Sequence, residues 1–150
     1  FFQINFKNIF FPILQSRELI KSNSMTSKAK FQLEFVVKAS PALLYSYIST
    51  PSGLEQWFAD NVKSRGEKFT FIWENAEEEA KLLAKKTNQS VKFKWNEDDE
   101  EDTYFEMRLQ IDDLTQDLAL IITDFADDDE VEEAKLLWEA QLTKLHSIIG

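Results

Sequence analysis

From Lys30 to Lys38 the chain reads KFQLEFVVK, and Phe31, Leu33, Phe35 and Val37 fall two residues apart on one side of it. A period of two predicts a half-buried strand, because successive side chains of an extended backbone point to opposite faces. At Ser40-Pro41 the pattern changes. A serine side chain accepts the free amides of a helix start, and proline is preorganised for the first helical position. Leu43, Leu44, Tyr47 and Ile48 then follow at helical spacing. Pro51-Ser52-Gly53 predicts the end of that helix, and GLEQWFAD, residues 53–60, a second short helical turn presenting Leu54, Trp57 and Phe58.

The middle of the chain reads as strands. NVKSR leads through a turn at Arg65-Gly66-Glu67 to Phe69, Phe71 and Trp73 at period two. Residues 76–86 are rich in helix formers, with Glu ahead of Lys. Yet Asn88-Gln89-Ser90 has the make-up of a hairpin turn that feeds the alternating Val91, Phe93 and Trp95, so Ala80 to Lys86 is read as a strand. NEDDEED, residues 96–102, reads as a solvated charged loop. In TYFEMRLQID, Phe105, Met107, Leu109 and Ile111 share one face, and Tyr104, Glu106, Arg108 and Gln110 the other. Asp112-Asp113 marks a turn before the last strand, TQDLALIITDF. Asp128 to Ile149 is read as a helix. Asp127 to Glu130 supply a cap and a negative first turn, and Val131, Ala134, Trp138, Leu142, Leu145 and Ile149 form its apolar stripe.

A meander of about six strands with one apolar face must cover that face, and the terminal amphipathic helix is the element available. A bent sheet around a straight helix leaves a gap. The residues expected to line it are Phe71, Trp73, Phe93, Trp95, Phe105, Met107 and Leu109 from the strands, and Trp138, Leu142 and Leu145 from the helix. Trp57 and Phe58 are expected at its entrance. Two readings stay open: a pocket for a lipid-like or aromatic ligand, or a core that the wide rings fill themselves.

Composition narrows the functions further. At 150 residues the chain fits one domain, with 43% hydrophobic residues, 29% charged residues and 13 Phe. Three Gly and three Pro leave little for phosphate-cradling loops, and no cofactor is expected. The absence of Cys removes disulfides and thiolate sites, and suits a reducing cytoplasm, the expected location. Net charge is −10, and residues 1–24, with Lys7, Arg17 and Lys21 against Glu18, account for +2 of it. The remaining −12 on residues 25–150 excludes nucleic acid and opposes anionic membranes. No run approaches the ~20 apolar residues of a spanning helix, so no membrane insertion is expected. Residues 1–24, in which Phe, Ile, Asn and Lys make up 14 positions, read as a non-native or disordered extension before Met25.

Catalytic candidates are few. His146 is the single histidine and cannot build a zinc site or a triad alone, so it reads as structural or surface. The acidic runs lack the glycine and alternate ligand spacing of a calcium loop. Glu106 and Arg108 are expected to point outward. These features favour a non-catalytic domain over an enzyme.

The order of elements, with SPALLYSYISTPSGLEQWFAD near the start and EEAKLLWEAQLTKLHSIIG at the end, resembles the START-like helix-grip superfamily. That superfamily includes lipid-transfer domains, birch-pollen-allergen-like proteins, polyketide cyclases and the chaperone ATPase-activator-homologue branch. TPSGLEQWFAD and DTYFEMRLQIDDLTQDLALIITDFADDDE look most like its small single-domain bacterial members. The resemblance covers Lys28 to Gly150 and implies an α+β helix-grip fold, with residues 25–150 read as a single domain. A curved antiparallel sheet of six to seven strands would wrap on a long C-terminal helix, with two short helices after the first strand. It implies a small hydrophobic ligand, or alternatively a protein partner served by a co-chaperone-like module with a filled core. A cyclase-type enzyme is the least favoured reading.

Overall fold

The computed structural model describes residues 28–74 and 76–150. The expected extension, residues 1–24, lies outside the described residues. The first strand, β1 (Ala29–Val37), is followed by two short helices, α1 (Pro41–Ser49) and α2 (Pro51–Leu54). Six strands come next: β2 (Asn61–Arg65), β3 (Lys68–Trp73), β4 (Ala76–Lys86), β5 (Ser90–Trp95), β6 (Phe105–Ile111) and β7 (Leu118–Ala126). A turn of 3-10 helix at Asp128–Glu130 leads into the long helix α3 (Val131–Ile149). The strands form one curved antiparallel sheet in the order β1-β7-β6-β5-β4-β3-β2, so a six-strand meander receives β1 beside its last strand.

The two short helices meet at a shared residue. Ser40 caps α1, its hydroxyl accepting from the Leu43 amide at 3.1 Å, with Pro41 following as expected. Thr50 then closes α1 and opens α2. Its hydroxyl donates to the Ser46 carbonyl at 2.6 Å and accepts from the Gly53 amide at 3.0 Å. Pro51, read from sequence as a breaker, therefore also begins the second helix. Trp57 and Phe58 lie just beyond α2, where the Phe58 amide donates to the Leu54 carbonyl at 2.8 Å and the chain bends inward.

The meander follows the alternation with one extension. Residues 76–79, which lay outside the expected strand, belong to β4, despite their helix-forming composition. Tertiary pairing overrides propensity here because residues 76–79 are held along β3. Ala76 stands opposite Trp73, and Ala80 opposite both Phe69 and Trp95, so small side chains leave room for large ones. The register slips between Leu82 and Ala84, a bulge that bends β4. Strand β7 is buried on both faces. Its inner face carries Leu118, Leu120 and Ile122; on the outer face Thr123 accepts a hydrogen bond from Gln32 at 3.0 Å, and Ile121 lies between Glu34 and Arg108.

Helix α3 follows β1 along the concave side of the sheet. Gly150, just after the helix, closes on the end of β1, its carbonyl accepting from the Lys38 amide at 2.9 Å. The stripe expected on the helix is present, with Leu137 and Gln141 added to it among the buried residues. The cap differs from expectation. Asp127 precedes the 3-10 turn without a side-chain capping bond, and both Asp127 and Glu130 are buried rather than solvated.

Candidate functional site

Phe58 stands at the centre of the concave face. Its ring lies 5.0 Å from Phe71, 6.0 Å from Trp73, 6.0 Å from Phe105 and 5.6 Å from Trp138. The loop after α2 thus places one ring between the sheet and α3. Around it Trp95 stacks on Phe105 at 5.0 Å, and Phe105 on Phe93 at 5.1 Å. Met107 is buried on the same face of β6, and Leu109 is half-buried against the core. Trp57 and Phe58 were expected at an entrance; each is 1% exposed, so they sit inside the core and not at its mouth. At centroid separations of 5–6 Å, rings touch and the space between them is occupied.

Three of the tryptophans keep their polar edge satisfied. Trp57 Nε1 donates to the Tyr47 carbonyl at 2.8 Å, Trp73 Nε1 to the Phe58 carbonyl at 3.1 Å, and Trp138 Nε1 to Asp124 Oδ2 at 2.9 Å. Asp124 was not singled out from sequence. The signal was there: in LALIITDFA it shares the face of Leu120 and Ile122, so period two points a carboxylate inward. Trp138 fills that place with a donor, which is what a buried acceptor requires.

The second feature lies further along α3. The two leucines expected from this helix, Leu142 and Leu145, face the end of β1, and with Phe35, Val36, Val37, Thr143 and His146 they line an open groove of about 140 Å³. The twelve expected lining residues therefore divide between two places. Nine aromatic and sulfur-bearing side chains, together with Leu109, belong to the ring cluster and its margin, and two leucines to this groove. Phe35 and Val37 were legible as the apolar face of β1, but nothing in the sequence joined them to His146.

Polar clusters elsewhere are structural. Asp98, in the loop expected to be solvated, is buried and pairs with Lys28 at 2.7 Å; the two side chains are 6% and 4% exposed. Asp98 also accepts from the Thr103 hydroxyl at 2.8 Å and the Glu100 amide at 3.2 Å, while Lys94 donates to Thr103 at 2.5 Å and to the Glu100 carbonyl. Burial alone would raise the Asp98 carboxyl, but the bonds from Lys28 and Thr103 outweigh it and hold the group below its ordinary value. Glu106 and Arg108 stand on the convex face, as expected, with Arg108 donating to Gln110 at 2.9 Å. Among the described residues no group of three or more metal-ligating side chains converges, and no helix is long and apolar enough to cross a membrane.

A curved antiparallel sheet gripping a C-terminal helix, with two short helices after its first strand, defines the START-like class of fold. Residues 25–150 match the family model described as START-like superfamily domain, and the chain belongs to that superfamily. A Bacteroides fragilis protein solved by solution NMR is 38% identical, over 83% of this chain and 93% of its own, with a TM-score of 0.59. The Aha1 dimer from Colwellia psychrerythraea is 16% identical, over 81% of this chain and 96% of its own, with a TM-score of 0.68. A conserved protein of unknown function from Enterococcus faecalis is 16% identical, over 93% of this chain and 82% of its own, with a TM-score of 0.65. The last two share the fold. No curated protein matches the chain.

Proposed function

We propose that this START-like domain is a non-catalytic binding module whose ligand is a small apolar molecule held between β1 and the C-terminal half of α3. The observation that carries the reading is the groove formed by Phe35, Val37, Leu142 and Leu145. An apolar cavity of roughly 150 Å³ admits one benzene ring, so a groove of about 140 Å³ takes a single ring or a short branched chain. A whole lipid would need the space beneath α3 that the rings of Phe58, Phe71, Phe105 and Trp138 occupy.

Titration of isotope-labelled protein with benzene, followed by amide NMR, tests this. Saturable shifts are expected at residues 35–37 and 142–146, and Leu145→Trp, which fills the groove, should abolish them. Absence of any saturable shift up to the solubility limit of benzene, or shifts confined to the ring cluster, would refute the groove.

A second reading, an interaction module acting through its surface, draws support from the same ring-filled centre. It cannot use Trp57 as an exposed contact, because that side chain is buried and hydrogen-bonded to Tyr47. The acidic surface would then favour a basic partner. Loss of binding to such a partner at raised salt, with benzene shifts absent, is the outcome that would favour this reading over the first.

A further inference from the structure

Seven side chains line the groove, and two of them carry polar atoms, Thr143 and His146. Thr143 is already engaged: its hydroxyl donates to the Glu139 carbonyl of its own helix at 2.8 Å. It keeps acceptor capacity but has no proton left to give. The His146 side chain is exposed, and among the described residues it makes no side-chain hydrogen bond or ion pair. An imidazole offers both a donor and an acceptor nitrogen. The groove thus has apolar walls and one polar side chain free both to donate and to accept, an arrangement that fixes the orientation of a ligand.

We infer that His146 is the specificity residue of this groove, selecting a small ring or short branched chain that carries one neutral hydrogen-bonding head, such as a phenolic hydroxyl. The inference rests on the groove reading above. The apolar end of such a ligand lies against Phe35, Leu142 and Leu145, and its hydroxyl meets the imidazole. Charge decides between a neutral and an anionic head. The chain carries a net −10, and its field raises the energy of any carboxylate brought to the surface. One imidazole does not offset that field, whereas a neutral hydroxyl is indifferent to it.

The test compares benzene, phenol and benzoate by amide NMR titration at about 0.15 M salt, on the full chain and on His146→Leu. His146 is exposed, so the variant is expected to fold. Phenol loses more hydration than benzene on entering an apolar site, so the decisive quantity is the ratio of the two affinities in each protein. That ratio should fall roughly two- to tenfold in His146→Leu, the size of one net hydrogen bond, while benzene affinity stays within twofold. Benzoate should bind no tighter than benzene. An unchanged ratio with benzene still bound would overturn the inference and leave the groove reading standing. Equal weakening of benzene and phenol would make His146 a wall of the groove only, and also overturns it. Failure of benzene to bind the parent chain removes both readings. Shifts at residues 35–37 and 142–146 that track protein concentration without ligand would assign the groove to a second copy of the chain, and overturn both.

Discussion

At the residue scale, the buried pair Lys28–Asp98 is the clearest energetic commitment in the molecule. Two charges are expensive to remove from water, and their attraction offsets that cost only while both partners remain. Lys28→Met is therefore expected to lower stability by about 3 kcal/mol, read from urea unfolding. A double variant with Asp98→Leu should recover most of the loss. The pH dependence follows from the depressed Asp98 carboxyl. The unfolded chain binds this proton more readily, so the contribution is fully present above the ordinary carboxylate value near 3.8 and is lost as pH falls through the lower folded value. Wild type should lose that increment on acidification below about pH 4, and Asp98→Asn should show a shallower stability-against-pH slope there. Equal slopes in the two proteins would contradict the assignment.

At the scale of elements, the crossing of α1 and α2 is the tightest joint. A Cβ built on Gly53 would lie 2.1 Å from the Ser46 carbonyl oxygen and 2.6 Å from the Tyr47 Cα. Both are backbone atoms, which no rotamer change can move aside. Gly53→Ala is expected to destabilise by about 1–3 kcal/mol through overpacking. Because this joint aims the loop that carries Phe58, near-ultraviolet circular dichroism of the tryptophans should change with it. Most of the elements were legible beforehand. Phe69, Phe71 and Trp73 announced β3 by alternation, and the stripe ending in Leu142 and Leu145 announced α3. Residues 76–79 escaped, since Ala and Glu have no strand preference and their conformation comes from Trp73 and its neighbours across the ladder.

At the scale of the whole molecule, the family match over residues 25–150 and the anchoring of Lys28 motivate a boundary. We propose that residues 25–150 fold as one domain. A fragment beginning at Met25 should unfold cooperatively in a calorimetric scan. A fragment beginning at Ala29 lacks Lys28 and leaves Asp98 buried without that partner, so its Tm should fall by on the order of 10 °C. Similar transition temperatures for the two fragments would show that the pair does not anchor the loop. The same scale explains why the site was only half legible. The leucines of α3 and the apolar face of β1 were each visible in one dimension, but a groove exists only where they meet.

What the sequence determined by itself was local and periodic: which stretches extend, which coil, where serine and proline start a helix, and which faces are apolar. Those features depend on neighbours a few residues apart, so one dimension contains them. Tertiary structure alone decided that Phe58 fills the centre instead of guarding a mouth, that Asp98 is buried against Lys28 seventy residues away, and that His146 borders a groove. Each of these is a contact between distant segments, set by how a curved sheet and a straight helix share limited volume.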